Sequence, residues 1–263
     1  MTAVTSLDVA VWPAISLEQV EQDAALLTRV DRKYIVTQAE LNDVLAEVSG
    51  ALRVLEIDGE RVFSYRSTYF DIPDLASYRA AAAGRTQRFK VRTRAYVTTG
   101  TSWLEVKLRD RRGQTNKHRV EHLLEHELDV RATSFLDGFD QVRPYVVMMQ
   151  PSIATTYERA TLLCSAPPGR GVEGAAQRVT IDVGVTCRHP DGTPIASLRD
   201  HLIVETKSHT SQPGPLDRAL WRVGARPVPI SKYAIGVAST RPDLTANRWR
   251  RILHRYVQPA SNG

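Results

Sequence analysis

Basic residues recur at every second position in several segments that have the composition of β-strands. In FKVRTRAYV, residues 89–97, Lys90, Arg92 and Arg94 alternate with uncharged residues. Strand side chains point alternately to the two faces of a sheet, so these three cations share one face. The same alternation places together Glu105, Lys107 and Arg109; Lys117 and Arg119; Tyr157 and Arg159; Arg178, Thr180 and Asp182; and Glu205 and Lys207.

A mainly cationic sheet face needs either solvent or a counter-anion. One face of an antiparallel sheet commonly points to water, but such a face usually mixes both charges, and like charges on neighbouring strands repel. A closed antiparallel barrel with helices outside would instead direct the cations into a lumen that holds a polyanion. The few acids, Glu105, Asp182 and Glu205, would suit a divalent cation that bridges phosphate oxygens.

The remaining patterns predict an α+β fold: a closed barrel tunnel of about eight strands with flanking helices, forming a single domain over residues 1–263. Strands are predicted over 29–36, 53–57, 61–70, 89–97, 103–109, 117–123, 152–163, 178–188, 202–207 and 230–237. Helices are predicted over 16–27, 38–48, 73–84, 132–139, 216–223 and 244–256. Thr37 and Glu40 form a capping-box pattern, Asp58-Gly59 is a favoured hairpin turn, and the Gly- and Pro-rich stretch 166–177 is expected to be a mobile loop.

Composition indicates the kind of partner and the compartment to expect for this protein. The net charge of +6 and pI of about 9.5 favour an acidic partner. Cys164 and Cys187 are too few for a disulfide framework, so a reducing cytoplasm is expected. The N-terminus lacks the basic start of a signal peptide, and no apolar run approaches the roughly 18 residues of a spanning helix, so no integral membrane segment is expected.

Eight sequence pieces, in this order, resemble a known family. They are RVDRKYIV, STYFDIPDLASY, FKVRTRAY, LEVKLR followed by NKHRVE, TTYERA, RVTID, IVETK and ISKY. Together they resemble the VTC-type polyphosphate polymerase domain, a member of the triphosphate tunnel metalloenzymes, and they extend over most of the chain.

The resemblance implies a tunnel that holds a nucleoside triphosphate with divalent Mn or Mg and transfers its γ-phosphoryl group onto a polyphosphate chain. The catalytic phosphate contacts that it implies are Lys33, Arg92, Arg94, Lys107, Arg159, Arg178 and Lys232. Further substrate contacts would come from Lys90, Lys117, Arg119, Tyr157 and Ser231. Glu205 would bind the metal, and Glu105 and Asp182 would reach it directly or through water.

One motif departs from the family pattern, and two further features have more than one interpretation. The wider superfamily begins with Glu-x-Glu-x-Lys, whereas this chain has Arg29-x-Asp31-x-Lys33, which is one carboxylate poorer and disfavours hydrolysis. Glu205 lies two positions from Lys207, so a structural ion pair is an alternative to metal binding. The basic helix near 244–256 would pack on the domain, or else contact acidic lipid or product.

Three functions remain open at this point. The first is an ATP-dependent polyphosphate polymerase, the second is an inorganic triphosphatase or polyphosphatase, and the third is a non-catalytic polyphosphate-binding module. A nucleic-acid partner is not expected, because the cationic faces contain few of the aromatic residues that stack on bases. No GxxxxGK[ST] motif occurs, so a P-loop mechanism is not expected.

Overall fold

Antiparallel strands with flanking helices make up the α+β structure, described by a computed structural model over residues 7–23, 30–165 and 176–260. The strands are β1 Ala14–Ile15, β2 Val30–Thr37, β3 Leu52–Leu55, β4 Val62–Asp71, β5 Arg88–Tyr96, β6 Thr101–Arg109, β7 Thr115–Glu121, β8 Gln150–Cys164, β9 Gln177–Arg188, β10 Pro194–Leu198, β11 His201–Ser208 and β12 Val257–Pro259. The helices are α1 Leu17–Asp23, α2 Gln38–Glu47, α3 Ala76–Ala82, α4 Val130–Asp137, α5 Pro215–Arg222, α6 Lys232–Thr240 and α7 Arg250–Tyr256. Arg29, the end of the predicted helix at 24–27 and the predicted loop at 166–175 lie outside the described residues.

The chain divides into two compact units, each built from three stretches of sequence. The first unit contains Met1–Phe63, Glu158–Gly184 and Asp200–Pro229, and the second contains Ser64–Tyr157, Val185–Arg199 and Ile230–Gly263. The strands β4, β8 and β9 contribute residues to both units. The single domain over 1–263 therefore stays a prediction.

In the first unit, β11 pairs antiparallel with β2 on one side and with β9 on the other. One face of these strands is apolar and contributes Tyr34, Val36, Ile181 and Val204 to a fully buried core, which also contains residues of α2 and α5. The capping box predicted for α2 is confirmed, because Thr37 accepts from the backbone N–H of Glu40 while the Glu40 carboxylate accepts from Thr37. The other face of the same strands carries the charged residues.

The second unit repeats this two-faced arrangement on β4, β5, β6 and β7, which pair antiparallel in that order. Phe89, Val91, Leu104 and Val106 lie on the apolar face and pack with residues of α4 and of the 3-10 turn Arg143–Met148. The opposite face carries the row that begins at Lys90. The alternation of cationic and uncharged residues therefore reflects a sheet covered on one face, as the sequence predicts.

Closure of a barrel is not shown by the backbone hydrogen bonds. Within the described residues, β2 pairs only with β11 in the first unit, and β7 pairs only with β6 in the second. Antiparallel sheets with flanking helices are thus present, while the closed tunnel stays a prediction. None of the helices in the described ranges is long and apolar enough to cross a membrane.

The prediction of a strand over 230–237 is wrong, because the helix α6 begins within this range, at Lys232. Ser231 caps its N-terminus by accepting from the backbone N–H of Ala234. The five consecutive residues from Tyr233 to Val237 are all buried. A helix that is buried on every side shows no 3.6-residue period, and a short apolar run of this kind cannot be told from a buried strand by periodicity.

One hairpin and one helix start also differ from their predictions. Asp58 and Gly59 do adopt the left-handed conformations of a tight turn, with φ of 51° and 81°, and one bridge joins Ile57 to Glu60. The strand before this turn, however, pairs with β1 and β8 instead of forming a hairpin with β4. The helix predicted over 244–256 begins later, with a 3-10 turn at Asn247–Trp249 followed by α7.

Candidate functional site

A ladder of lysines crosses the charged face of the second unit. Lys90 on β5 lies directly opposite Lys107 on β6, which lies directly opposite Lys117 on β7. Like charges that face one another across strands are destabilising. This ladder therefore favours an anion that can contact several lysines at once.

The next rung of the face contains its main acid. Glu105 lies opposite Arg92 and Arg119, and its side chain is only 3% exposed. One carboxylate oxygen accepts from Arg92 Nε and Nη2 at 2.8 and 2.6 Å, and the other accepts from Lys117 Nζ. Burial alone would raise the pKa of Glu105, but Arg92, Arg94 and Lys117 lower it well below its usual range. Glu105 therefore stays ionised and orients the cations around it.

Arg94 is the most deeply buried cation of this face. It is 8% exposed, its Nε lies 4.0 Å from Glu105, and its guanidinium stands over the ring of Tyr65 at 5.6 Å. Arg94 Nε has no hydrogen-bond partner among the described residues, and neither does the buried hydroxyl of Ser67 directly opposite on β4. A buried donor without an acceptor is costly, and a phosphate oxygen would satisfy it.

The N-terminus of α6 carries two further predicted contacts in the same unit. Lys90 Nζ donates to Ser231 Oγ at 3.0 Å, and Lys232 Nζ stands over the ring of Tyr157 at 4.2 Å. The hydroxyl of the next residue, Tyr233, donates to the buried Asp71 carboxylate at 2.6 Å, which fixes the helix in place. The positive end of the helix dipole adds to the attraction for an anion near Ser231.

The charged face of the first unit has a more even number of acidic and basic residues than that of the second unit. Glu205 on β11 lies opposite Lys33 and Thr180, and Lys207 lies opposite Asp31 and Arg178. In the same unit Arg159 holds Asp182 by two hydrogen bonds of 2.5 and 2.8 Å. The predicted contacts in this unit are Lys33, Arg159, Arg178, Asp182 and Glu205, and those in the second unit are Lys90, Arg92, Arg94, Glu105, Lys107, Lys117, Arg119, Tyr157, Ser231 and Lys232.

Lys207 belongs to this face although it was not among the predicted site residues. Its Nζ lies 3.4 Å from Glu205, and its side chain is 14% exposed. Burial and the neighbouring Arg159 and Arg178 outweigh the pull of Glu205 and lower the pKa of Lys207 to about 8. Its alternation with Glu205 along β11 was the signal that could have identified it.

Asp217 is a residue that the sequence did not reveal. This fully buried carboxylate accepts from Tyr34 Oη at 2.8 Å, Thr206 Oγ1 at 2.7 Å and Gln177 Nε2 at 2.8 Å. Tyr34 and Thr206 are sequence neighbours of Lys33 and Glu205 but point to the opposite face. Asp217 on α5 therefore fixes, from behind, the strands that carry the charged residues.

The carboxylates fit a divalent cation only in part. No group of three or more His, Cys, Asp or Glu side chains in the described ranges is arranged to hold a metal. Mg²⁺, however, usually binds through one or two carboxylates plus waters and substrate phosphates. In the first unit Asp182 is engaged by Arg159, whereas Glu205 has a longer contact with Lys207, so Glu205 is the better-fitting protein ligand.

Phosphate affinity should fall as pH rises through the titration of Lys117. Burial first, and then Arg92 and Arg94, lower the pKa of Lys117 to about 8 despite its contact with Glu105. Its amine is therefore mostly charged at pH 7 and mostly neutral at pH 9, and a bound phosphate would raise its pKa. Because the side chain is 38% exposed, we expect tripolyphosphate to bind only about 2- to 5-fold more weakly at pH 9 than at pH 7 in calorimetric titrations.

The matched variant for this prediction is Lys117→Arg, which keeps the charge at both pH values. It should lose the part of the decline that Lys117 causes, whereas the titration of tripolyphosphate itself affects both proteins equally. Equal declines in the two proteins would contradict the prediction.

These features define a class: an α+β protein whose antiparallel strands present basic faces suited to a phosphate-bearing polyanion. A family model described as the VTC domain matches residues 28–241, and the chain belongs to this family. The resemblance inferred from the eight sequence pieces is thereby confirmed. No curated protein matches the chain.

Several solved structures are similar to the chain at low sequence identity. HpAC1 from Hippeastrum, named as an adenylyl cyclase and described as having a dominant triphosphatase activity, is 13% identical, with a TM-score of 0.43 over 80% of this chain and 96% of that one. The PH1012 protein from Pyrococcus horikoshii is 13% identical, with a TM-score of 0.38 over 75% of this chain and 88% of that one. Such low similarity says nothing about what this chain binds.

Proposed function

We propose that this chain is a polyphosphate polymerase, which binds phosphate chains on its basic strand faces and transfers the γ-phosphoryl group of a nucleoside triphosphate onto a polyphosphate end. The observation that carries the proposal is the buried Arg94 beside the Lys90, Lys107 and Lys117 ladder, because its Nε has no acceptor within the part of the chain that the structure describes. Membership of the VTC domain family supports a phosphate-related function.

Phosphoryl transfer asks a protein mainly to position the phosphates and to neutralise their charge. Arg92 is held in a fixed orientation by Glu105 and by a hydrogen bond of 3.3 Å to the Tyr69 hydroxyl. Arg94 offers a desolvated Nε donor that has no partner among the described residues. Donors that are fixed before the reaction stabilise the charge that develops on the transferred group without reorganisation. The polyphosphate end supplies the attacking oxygen, so no nucleophilic side chain is needed.

A divalent cation would be held by Glu205 together with phosphate oxygens, and when bound it would neutralise part of the phosphate charge. Lys33, Arg159 and Arg178 would contact phosphates on the same face. We retain Asp182 and Glu105 as residues that reach the metal through water, since arginine occupies the carboxylate of each. Mn²⁺ and Mg²⁺ both suit such oxygen ligands.

The closed tunnel predicted from the sequence is part of this proposal. An enclosed path would keep a growing chain bound between additions, so we expect long chains to appear while most of the nucleotide is still unused. Gel separation of early products tests this expectation. A ladder of short chains that lengthens evenly with time would count against an enclosed path.

The experiment that tests the function is incubation of the chain with ATP and Mn²⁺ or Mg²⁺, with and without a short polyphosphate primer, followed by ³¹P NMR. We expect internal-phosphate signals to grow as ADP is released, and chelation of the metal to stop both. Free phosphate without chain growth would identify the alternative, a triphosphatase or polyphosphatase. Tight polyphosphate binding without turnover would identify a binding module.

A further inference from the structure

A second arginine-rich feature lies in the second unit, around the start of β5. A cavity of about 650 Å³ is lined by α3, by the first residues of β5, by residues within and just before the 3-10 turn at Arg143–Met148, and by Leu244 and Thr245. Its volume is within the range of ordinary ligand pockets. Arg79, Arg85 and Arg88 contribute to its lining.

The arginines at this end of β5 repel one another. Arg88 lies directly opposite Arg109 on β6, and burial together with repulsion from Arg109 and Arg248 lowers the pKa of Arg88. A Cβ atom at Gly84 would lie 3.4 Å from Arg248 Nη1, which places this guanidinium beside Gly84, the chain neighbour of the cavity-lining Arg85. Like charges brought together in this way are unfavourable without an anion.

No acid in the described ranges offsets this cluster. Arg88 donates to the carbonyl of Arg85 and Arg109 donates to that of Gly113, and no described carboxylate lies within salt-bridge distance of Arg85, Arg88, Arg109 or Arg248. The acid in the lining, Asp140, is 88% exposed and is paired with Arg143 at 3.0 Å. Asp243, which acts on Arg79 at longer range, is itself held by Arg241.

The other walls of the cavity suit a ligand that is held at one side by charge. The rings of Phe89 and Tyr145 lie 5.3 Å apart, and the Tyr78 hydroxyl is engaged by the carbonyl of Thr245. The amide oxygen of Gln141, another lining residue, is buried without a hydrogen-bond partner among the described residues. Amide oxygen and nitrogen positions are interchangeable by rotation, so Gln141 can also present a donor.

We propose that Arg88, Arg109 and Arg248, together with this cavity, form a second binding site for an oligophosphate anion. Guanidinium groups match phosphate by paired hydrogen bonds, and several of them together select a ligand with more than one phosphate over a single carboxylate. Arg88 shares the strand face of Lys90, Arg92 and Arg94, so the ligand is either a distant part of the polyphosphate chain or a separate small oligophosphate. The first source rests on the proposed function and the second does not.

Calorimetric titration with tripolyphosphate tests the second site. The unaltered chain should bind two equivalents, and Arg88→Gln or Arg248→Glu should weaken one of them by about tenfold or more. Arg251→Glu makes the same charge change as Arg248→Glu at an exposed position of α7; it is the matched control and should leave both sites unchanged. Circular dichroism confirms that each variant is folded, which is expected because two of these changes relieve repulsion.

The result that would overturn the proposal is tripolyphosphate binding by Arg88→Gln and Arg248→Glu with the number of sites and the affinities of the unaltered chain. Long-chain polyphosphate separates the two sources. If long-chain polyphosphate displaces tripolyphosphate from both sites, the second site is part of the polyphosphate path. If one site still binds tripolyphosphate while the long chain is bound, that site binds a separate ligand. Arg94→Met alters only the basic face on which the proposed function rests. Failure of the proposed function can therefore be distinguished from failure of the second site.

Discussion

Replacing Arg94 by methionine should lower the rate of phosphoryl transfer by about 100- to 1,000-fold, which is the usual effect of removing one fixed donor that contacts a transition-state charge. The same change should leave the free energy of unfolding unchanged or should raise it slightly. Arg94 is buried, its Nε has no hydrogen-bond partner in the described ranges, and Glu105 keeps Arg92 and Lys117 as partners when Arg94 is absent. A loss of rate without a loss of stability is expected for a residue that binds the ligand and destabilises the fold.

The matched control for Arg94→Met is Arg66→Met on the neighbouring strand β4. Arg66 lies opposite Ala95, on the other face of the same sheet, and is paired with Glu125 at 2.5 Å. It should keep the transfer rate of the unaltered chain. Initial rates of ADP release and urea unfolding curves measure both effects; loss of stability in Arg94→Met without loss of rate would show that Arg94 is structural.

Replacing Asp217 by alanine should lower the free energy of unfolding by about 3–5 kcal/mol, the range for removing one partner of a buried charged network. The Tyr34 hydroxyl, the Thr206 hydroxyl and the Gln177 amide would all lose their acceptor in a fully buried place. Arg32, at 3.3 Å from the carboxylate, would lose its ion pair as well. Urea unfolding followed by circular dichroism measures the change.

Asp191→Ala is the matched control, because Asp191 is an exposed acid whose side chain accepts from the neighbouring turn residue Thr193. Its loss should change the free energy of unfolding by less than about 1 kcal/mol. If Asp217→Ala were no more destabilising than this control, Asp217 would not be the residue that fixes β2, β9 and α5 behind the charged face.

Strand alternation predicted the faces of the sheet well, because one face of each strand packs on a core while the other bears charge. Lys90, Arg92 and Arg94 could be placed on one face from their spacing alone. The helix α6 could not be predicted, since its residues Tyr233 to Val237 are buried on every side and carry no helical period. The capping Ser231 was the only local sign of a helix start.

Strand alternation could place the charged residues on strand faces but could not give their pairings across strands. Which residue lies opposite a lysine depends on the register between neighbouring strands. The ladder from Lys90 through Lys107 to Lys117 is therefore known only once β5, β6 and β7 are paired. The role of Asp217 required the position of α5 against β2, because Tyr34 lies 183 residues before Asp217 in the sequence. The arginine cluster around Arg88 likewise depends on Arg248, 160 residues further along the chain.

A crystal structure of the chain with tripolyphosphate tests most directly whether phosphate occupies the basic face around Arg94. We expect a phosphate oxygen within about 3 Å of Arg94 Nε, with further oxygens near the Lys90 and Lys107 amines. Tripolyphosphate bound elsewhere, with no oxygen in contact with Arg94 Nε, would contradict the proposed function.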